Sequence, residues 1–253
     1  MLTRENFLFA RQAGATHIVA HLVDYFKGGS VGKADQPLDA DWGWGRAGDP
    51  SRLWSLEELQ ALRREINAAG LELEAIENFD PAHWHDVLLD GPKKQEHFEN
   101  IKTIIRRVGQ AGIPIFGYNF SIAGVCGRTK GPFARGEAVC VGMDQPCETP
   151  MPRGMAWNMI YDANAPPGAE PPVTHQVLWQ RLAEFLDEVI PVAEKAGVTL
   201  AAHPDDPPMP TMRGPNPTMC NAISPATRSR RRRKASRRAI SPRGEGGAPC
   251  SKR

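Results

Sequence analysis

The residues best suited to chemistry sit in one short phrase, Ala-Ala-His-Pro-Asp-Asp-Pro-Pro, residues 201–208. An imidazole and two carboxylates, His203, Asp205 and Asp206, crowd together there, directly after an apolar run of strand type at 198–202. Neutral imidazoles and carboxylates are common donors to divalent ions, and carboxylates also accept hydrogen bonds from polyol hydroxyls. Pro204, Pro207 and Pro208 lack the amide that a sheet ladder needs, so the strand ends at this point. The alternative is a proline-rich surface turn with a solvated acid pair, and the upstream sequence bears on the choice.

What must position that phrase is a local unit that recurs four times: a helical stripe, an Ala-Gly stop and an apolar run. The stops are Ala13-Gly14, Ala69-Gly70, Ala111-Gly112 and Ala196-Gly197. Thr3 caps the first helix, which carries Phe7, Leu8 and Ala10, and a strand follows at 16–22. The second begins with a capping box, Ser55 with Glu58 three residues on. Leu56, Leu59, Leu62, Ile66 and Ala69 then recur at helical spacing, and a strand follows at 71–77. The third opens at Gly91-Pro92, with Phe98, Ile101, Ile105 and Val108 before a strand at 113–120. The fourth opens near Thr174, with Leu178, Leu182, Phe185, Val189 and Ala193; Pro191 is expected to kink or split it.

Helices alternating with buried-type strands predict a parallel sheet. A doubly wound sheet is the plain alternative, but no glycine-rich phosphate loop follows the first strand; Gly28, Gly29 and Gly32 have the wrong spacing and no helix pattern behind them. The other reading is a (β/α)8 TIM barrel, incomplete here at about four βα units. Barrel chemistry sits at the C-terminal strand ends. Those ends offer His21 and Asp24, Glu77 and Asn78, Tyr118 and Asn119, and His203 and Asp205. Any one of them reads as an ordinary loop or core polar residue; four at one edge favour a site.

Two long connections, 24–53 and 121–173, have the length of lids or binding loops. Trp42-Gly43-Trp44 in the first is either a stacking surface or a local hydrophobic plug, the latter being the simpler reading. Arg128, Lys130 and Arg135 in the second read as solvated charge. The cysteines, Cys126, Cys140, Cys147, Cys220 and Cys250, are odd in number with no CxxC pair, which suggests thiols in the cytoplasm rather than a disulfide framework. No signal-peptide pattern opens the chain, and no apolar run approaches the ~20 residues of a membrane span.

Taken together, several phrases resemble mannonate dehydratase, a member of the xylose-isomerase-like TIM-barrel group. They are Glu77 within Leu-Glu-Ala-Ile-Glu-Asn, Asn119 within Gly-Tyr-Asn-Phe, the helix text 190–194, and His203-Pro-Asp-Asp-Pro-Pro. The resemblance covers roughly residues 1–213. It implies a lyase of hexuronate breakdown that removes water from D-mannonate to give 2-dehydro-3-deoxy-D-gluconate, using Mn²⁺ or Fe²⁺. Dehydration beside a carboxylate needs an acidified Cα–H and a departing hydroxyl. A divalent ion meets the first need as a Lewis acid, while acid and base groups move the protons. The family's ligands are the His of this phrase, then a Cys, a second His and an Asp from later strands. His203 matches the first. His21, Glu77, Asn119 and Asp205 are then expected to contact the sugar acid or orient the metal ligands. An isomerase or epimerase of the same barrel group would share these residues. A homo-oligomer is compatible with the pattern.

The sequence changes character at about residue 214. Residues 1–212 carry nineteen Lys and Arg against twenty-eight Asp and Glu, a net −9, whereas residues 213–253 carry twelve against one, a net +11. The 214–253 stretch has no helix or strand period and is read as disordered, and the family's remaining units are absent. A shifted coding frame accounts for it better than a basic arm that contacts nucleic acid non-specifically through phosphates. Cys220 is too close to His203 to leave room for an intervening helix and strand. The expectation is a partial barrel over 1–213 that is inactive, or nearly so, by itself.

Overall fold

The computed structural model describes residues 2–23, 45–124, 129–143, 148–205 and 209–217. Helix α1 is Arg4–Gln12, and the Thr3 side chain accepts the Asn6 amide at its start. The Ser55–Glu58 capping box forms reciprocally: Ser55 Oγ accepts the Glu58 amide at 3.1 Å and Glu58 Oε2 accepts the Ser55 amide at 2.9 Å. It opens α2, Leu56–Ala68. A one-turn helix, α3, His85–Leu89, precedes α4, Lys94–Gln110. Thr174 caps α5, His175–Ala196. That helix runs unbroken through Pro191, against the expectation of a split. Pro191 and Asp187 are both exposed, so water can reach the carbonyl that the missing amide leaves unpaired.

Four strands form one parallel sheet: β1, His17–His21; β2, Glu72–Glu77; β3, Ile115–Tyr118; and β4, Thr199–Ala202. Their spatial order is their chain order, with every adjacent pair parallel. A doubly wound sheet reverses order partway; this one does not, as a barrel wall requires. Ile18 and Ala20 of β1 turn toward the helices, and His17, Val19 and His21 are exposed.

The helices bury one face of the sheet. Ile101, Ile104, Ile105 and Val108 of α4 are fully buried, with Phe185 and Val189 of α5 and Phe116 of β3 in the same cluster. Each such side chain contributes about 1.5–3 kcal/mol by leaving water. Lys94 and Lys102 pair with Glu184 and Glu188 at 2.5 Å across the α4–α5 seam.

The long second connection is not a solvent-exposed lid along its length. Met151, Met155, Trp157 and Met159 pack into the main core. Strand Met159–Ile160 pairs with Gly45–Arg46 from the end of the first connection, so the two connections meet. Lys130 and Arg135 are exposed, as expected, near a separate ribbon, Thr129–Gly131 with Cys140–Gly142. Cys140 is a free thiol. Asp24, Trp42, Trp44, Cys126, Arg128, Cys147, Asp206, Cys220 and Cys250 lie outside the described residues.

Ordered structure also continues past 213. Thr211–Met212 pairs with Asn216–Pro217, and Asn216 is buried, its side chain accepting the Val173 amide. Arg213 is fully buried, with its guanidinium on Asn158. A first unit, Met1–Asn221, holds every described residue; a second, Ala222–Arg253, lies outside them. No described helix is long and apolar enough to cross a membrane.

Candidate active site at the strand ends

Parallel pairing brings the last residues of β1 and β2 side by side, since His21 is in register with Glu77. His21 Nε2 lies 3.0 Å from Glu77 Oε2, a charge-assisted hydrogen-bond distance. The amide of His203, just beyond β4, donates to the Tyr118 carbonyl at 2.8 Å and so extends the sheet by one residue. That brings His203 Nε2 to 3.7 Å from Glu77 Oε1, within ion-pair range but too long for a hydrogen bond. One carboxylate thus stands between two imidazoles from strands far apart in sequence. The Glu77 side chain is 22% exposed and each histidine 44%. The hydrogen bond from His21 holds the Glu77 carboxyl below its usual range; burial opposes this, and the charges of His21 and His203 add to it.

The His203 ring has a defined tautomer. Its Nδ1 is 2.6 Å from the Pro204 carbonyl, which can only accept, so Nδ1 carries a proton, and in the neutral ring the lone pair is on Nε2. That is the form in which an imidazole ligates a metal.

Of the other strand-end residues, Asn119 donates to Asn78 Oδ1 at 2.6 Å, tying the ends of β3 and β2 together. Asn78 is buried with φ 67°, a left-handed conformation that asparagine tolerates, and its amide donates to the Gly117 carbonyl. Asp205 is half-buried two residues past His203. Tyr118 does not belong to the edge. It shares a face with Phe116, and its ring lies 5.2 Å from that of Phe185, so it sits under α5 with its hydroxyl proton held more tightly by burial. Sequence reading also missed His85, Asp86 and His97, which the structure gathers where α3 meets α4. Their signal was the density of histidine over 83–97, which no strand-end rule captures.

A parallel sheet in chain order, with an imidazole–carboxylate–imidazole row along its C-terminal edge, defines an α/β protein of the barrel-wall type. The sequence matches the family D-mannonate dehydratase (UxuA) over residues 9–132 and 169–230. The chain belongs to that family. The match runs past the break read at 213, and it omits 133–168, part of the second long connection. The mannonate dehydratase of Geobacillus thermodenitrificans is 32% identical over 176 residues, which are 62% of this chain and 46% of that protein. That of Streptococcus equi subsp. zooepidemicus is 34% identical over 175 residues, 61% of this chain and 45% of that protein. The chain therefore spans about half the length of the curated relatives it matches. The crystal structure of mannonate dehydratase from Streptococcus suis serotype 2 superposes with a TM-score of 0.52 at 23% identity, covering 83% of this chain and 59% of that one, and supports the fold.

Proposed function

We propose that the strand-end row serves the metal-assisted dehydration of a sugar acid, with D-mannonate as substrate and 2-dehydro-3-deoxy-D-gluconate as product. The observation that carries this reading is Glu77 held between His21 and His203 at the edge where a barrel does its chemistry. The donor set suits Mn²⁺ or Fe²⁺: an imidazole whose Nδ1 proton is held by the Pro204 carbonyl, leaving Nε2 as the ligating atom, and a carboxylate kept in its charged form. His203 would hold the ion. When bound, such an ion supplies Lewis-acid stabilisation of the charge that develops next to the substrate carboxylate.

The chain's own groups do the remaining work. Glu77 accepts from His21, so the pair can hold a proton at His21 Nε2 and pass it across 3.0 Å. Asn119, fixed through Asn78, and Asp205 offer hydrogen bonds to substrate hydroxyls. Among the described residues only His203 matches the family's ligand set, and a single imidazole holds an ion poorly. The further Cys, His and Asp of the family are needed for full activity.

The test is a D-mannonate dehydration assay with Mn²⁺, together with titration of the polypeptide by Mn²⁺ and D-mannonate. Weak binding that His203→Ala abolishes and Glu77→Gln weakens about tenfold, with slow turnover or none, supports the reading. Binding that ignores both substitutions overturns it.

A further inference from the structure

Three metal-type donors meet on the connection between β2 and α4, apart from the strand ends. His85 and Asp86 open α3 and His97 lies in the first turns of α4; each offers one ligand atom, and these lie within 4.8 Å of one another. We propose that His85, Asp86 and His97 form a second site, for a divalent transition-metal ion such as Zn²⁺ or Co²⁺.

His85 Nδ1 is 2.7 Å from the Pro81 carbonyl and must donate to it, which leaves the lone pair on Nε2. That lone pair faces Asp86 Oδ1 at 3.4 Å. In the neutral ring both atoms are acceptors, and a cation between them satisfies both. The spacing also fits an ion: metal–nitrogen and metal–oxygen bonds of about 2.1 Å at a tetrahedral angle separate two ligand atoms by about 3.4 Å.

Both groups are held in place from behind. Asp86 Oδ2 accepts the Lys93 amide at 2.7 Å. A Cβ at position 91 would lie 2.1 Å from Asp86 Oδ1, so Gly91 leaves the room that this carboxylate occupies. The His85 ring stacks on Tyr161 at 3.8 Å with planes 9° apart. A cavity of about 400 Å³, lined by His85, Asp86, Lys93, Tyr161 and Asp162, supplies an entry path and space for water ligands. Two imidazoles with one carboxylate favour zinc, cobalt or nickel over calcium or magnesium.

Two features oppose binding. His97 Nδ1 already accepts the Asp86 amide at 3.1 Å, so an ion that takes this lone pair displaces a cap of α3. That makes His97 the weakest of the three donors. Lys93 brings a positive charge to the same cavity, offset by Asp162.

Titrating the full chain carrying His203→Ala with Co²⁺ tests the proposal. That variant removes the strand-end imidazole, and Co²⁺ reports its ligands through visible absorption. The expected result is one bound ion with tetrahedral-type absorption and no sulfur charge-transfer band, weakened at least about tenfold by His85→Gln or Asp86→Asn, each checked for folding by circular dichroism. In the unmutated chain, Co²⁺ should also shift the ring signals of His85 and His97. No binding, binding lost with His203→Ala, or ring signals of His85 that stay put would overturn it.

Discussion

Adding one methyl group at Gly109 probes how the fold carries His203. Gly109 lies where α4 meets the end of α5; a Cβ there would sit 2.3 Å from the Ala196 carbonyl oxygen and 3.0 Å from the Ala196 Cβ. Both contacts are below van der Waals separation, and the nearer atom is backbone, so no rotamer change relieves it. The helices must part by roughly 1 Å, loosening the row of Ile101, Ile105 and Val108 against Phe185 and Val189. Overpacking of this kind costs about 1–3 kcal/mol. Alanine in a helix interior regains about 1 kcal/mol relative to glycine. The clash wins over most of that range, and Gly109→Ala should lose up to about 2 kcal/mol. Urea unfolding followed by tryptophan fluorescence measures this as a lower midpoint with unchanged slope. Ala196 is followed by Gly197 and then β4, so the His203 ring signals should move as well. A variant that unfolds at a higher urea concentration than the parent would refute the packing argument.

Acid should weaken the fold through the buried histidines. Burial, followed by the charge of His85, pushes the His97 pKa from 6.5 down to about 4. The unfolded ring binds a proton below 6.5 that the folded ring refuses until about 4, so this stability is complete above 6.5 and is lost as pH falls through that window. One ring accounts for about 3 kcal/mol over the whole interval, and His83 and His85, pushed the same way by burial, add to it. Unfolding free energies measured at several pH values should fall less steeply in His97→Gln; parallel curves would be the wrong result. Glu77→Gln should change stability by under about 1 kcal/mol because the group is partly exposed. It should still weaken Mn²⁺ binding about tenfold, and equal affinity by calorimetry would argue against a role for Glu77 at the metal.

The four βα units were legible in the sequence because their signals are local. Thr3, Ser55 with Glu58, and Thr174 cap the helices at the positions where they occur. The His21–Glu77–His203 row was legible because parallel strands bring their ends to one edge. Tyr118 misled because the alternation along β3, which buries Phe116 on the helix side, takes Tyr118 with it. Pro191 does not split α5 because the buried stripe from Leu178 to Ala193 holds the helix together across it. Histidine density over 83–97 hinted at the His85–Asp86–His97 cluster, but its assembly depends on the left-handed turn at Asp90, φ 63°, between α3 and α4.

Histidine-ring NMR during a Mn²⁺ titration tests the strand-end site most directly. The signals of His21 and His203 should broaden together and first in the parent chain, with His17 at the other end of β1 broadening less, and Glu77→Gln should reduce the effect on both. If His203 and His21 stay sharp while Mn²⁺ broadens residues elsewhere, the imidazole–carboxylate–imidazole row is not a metal site.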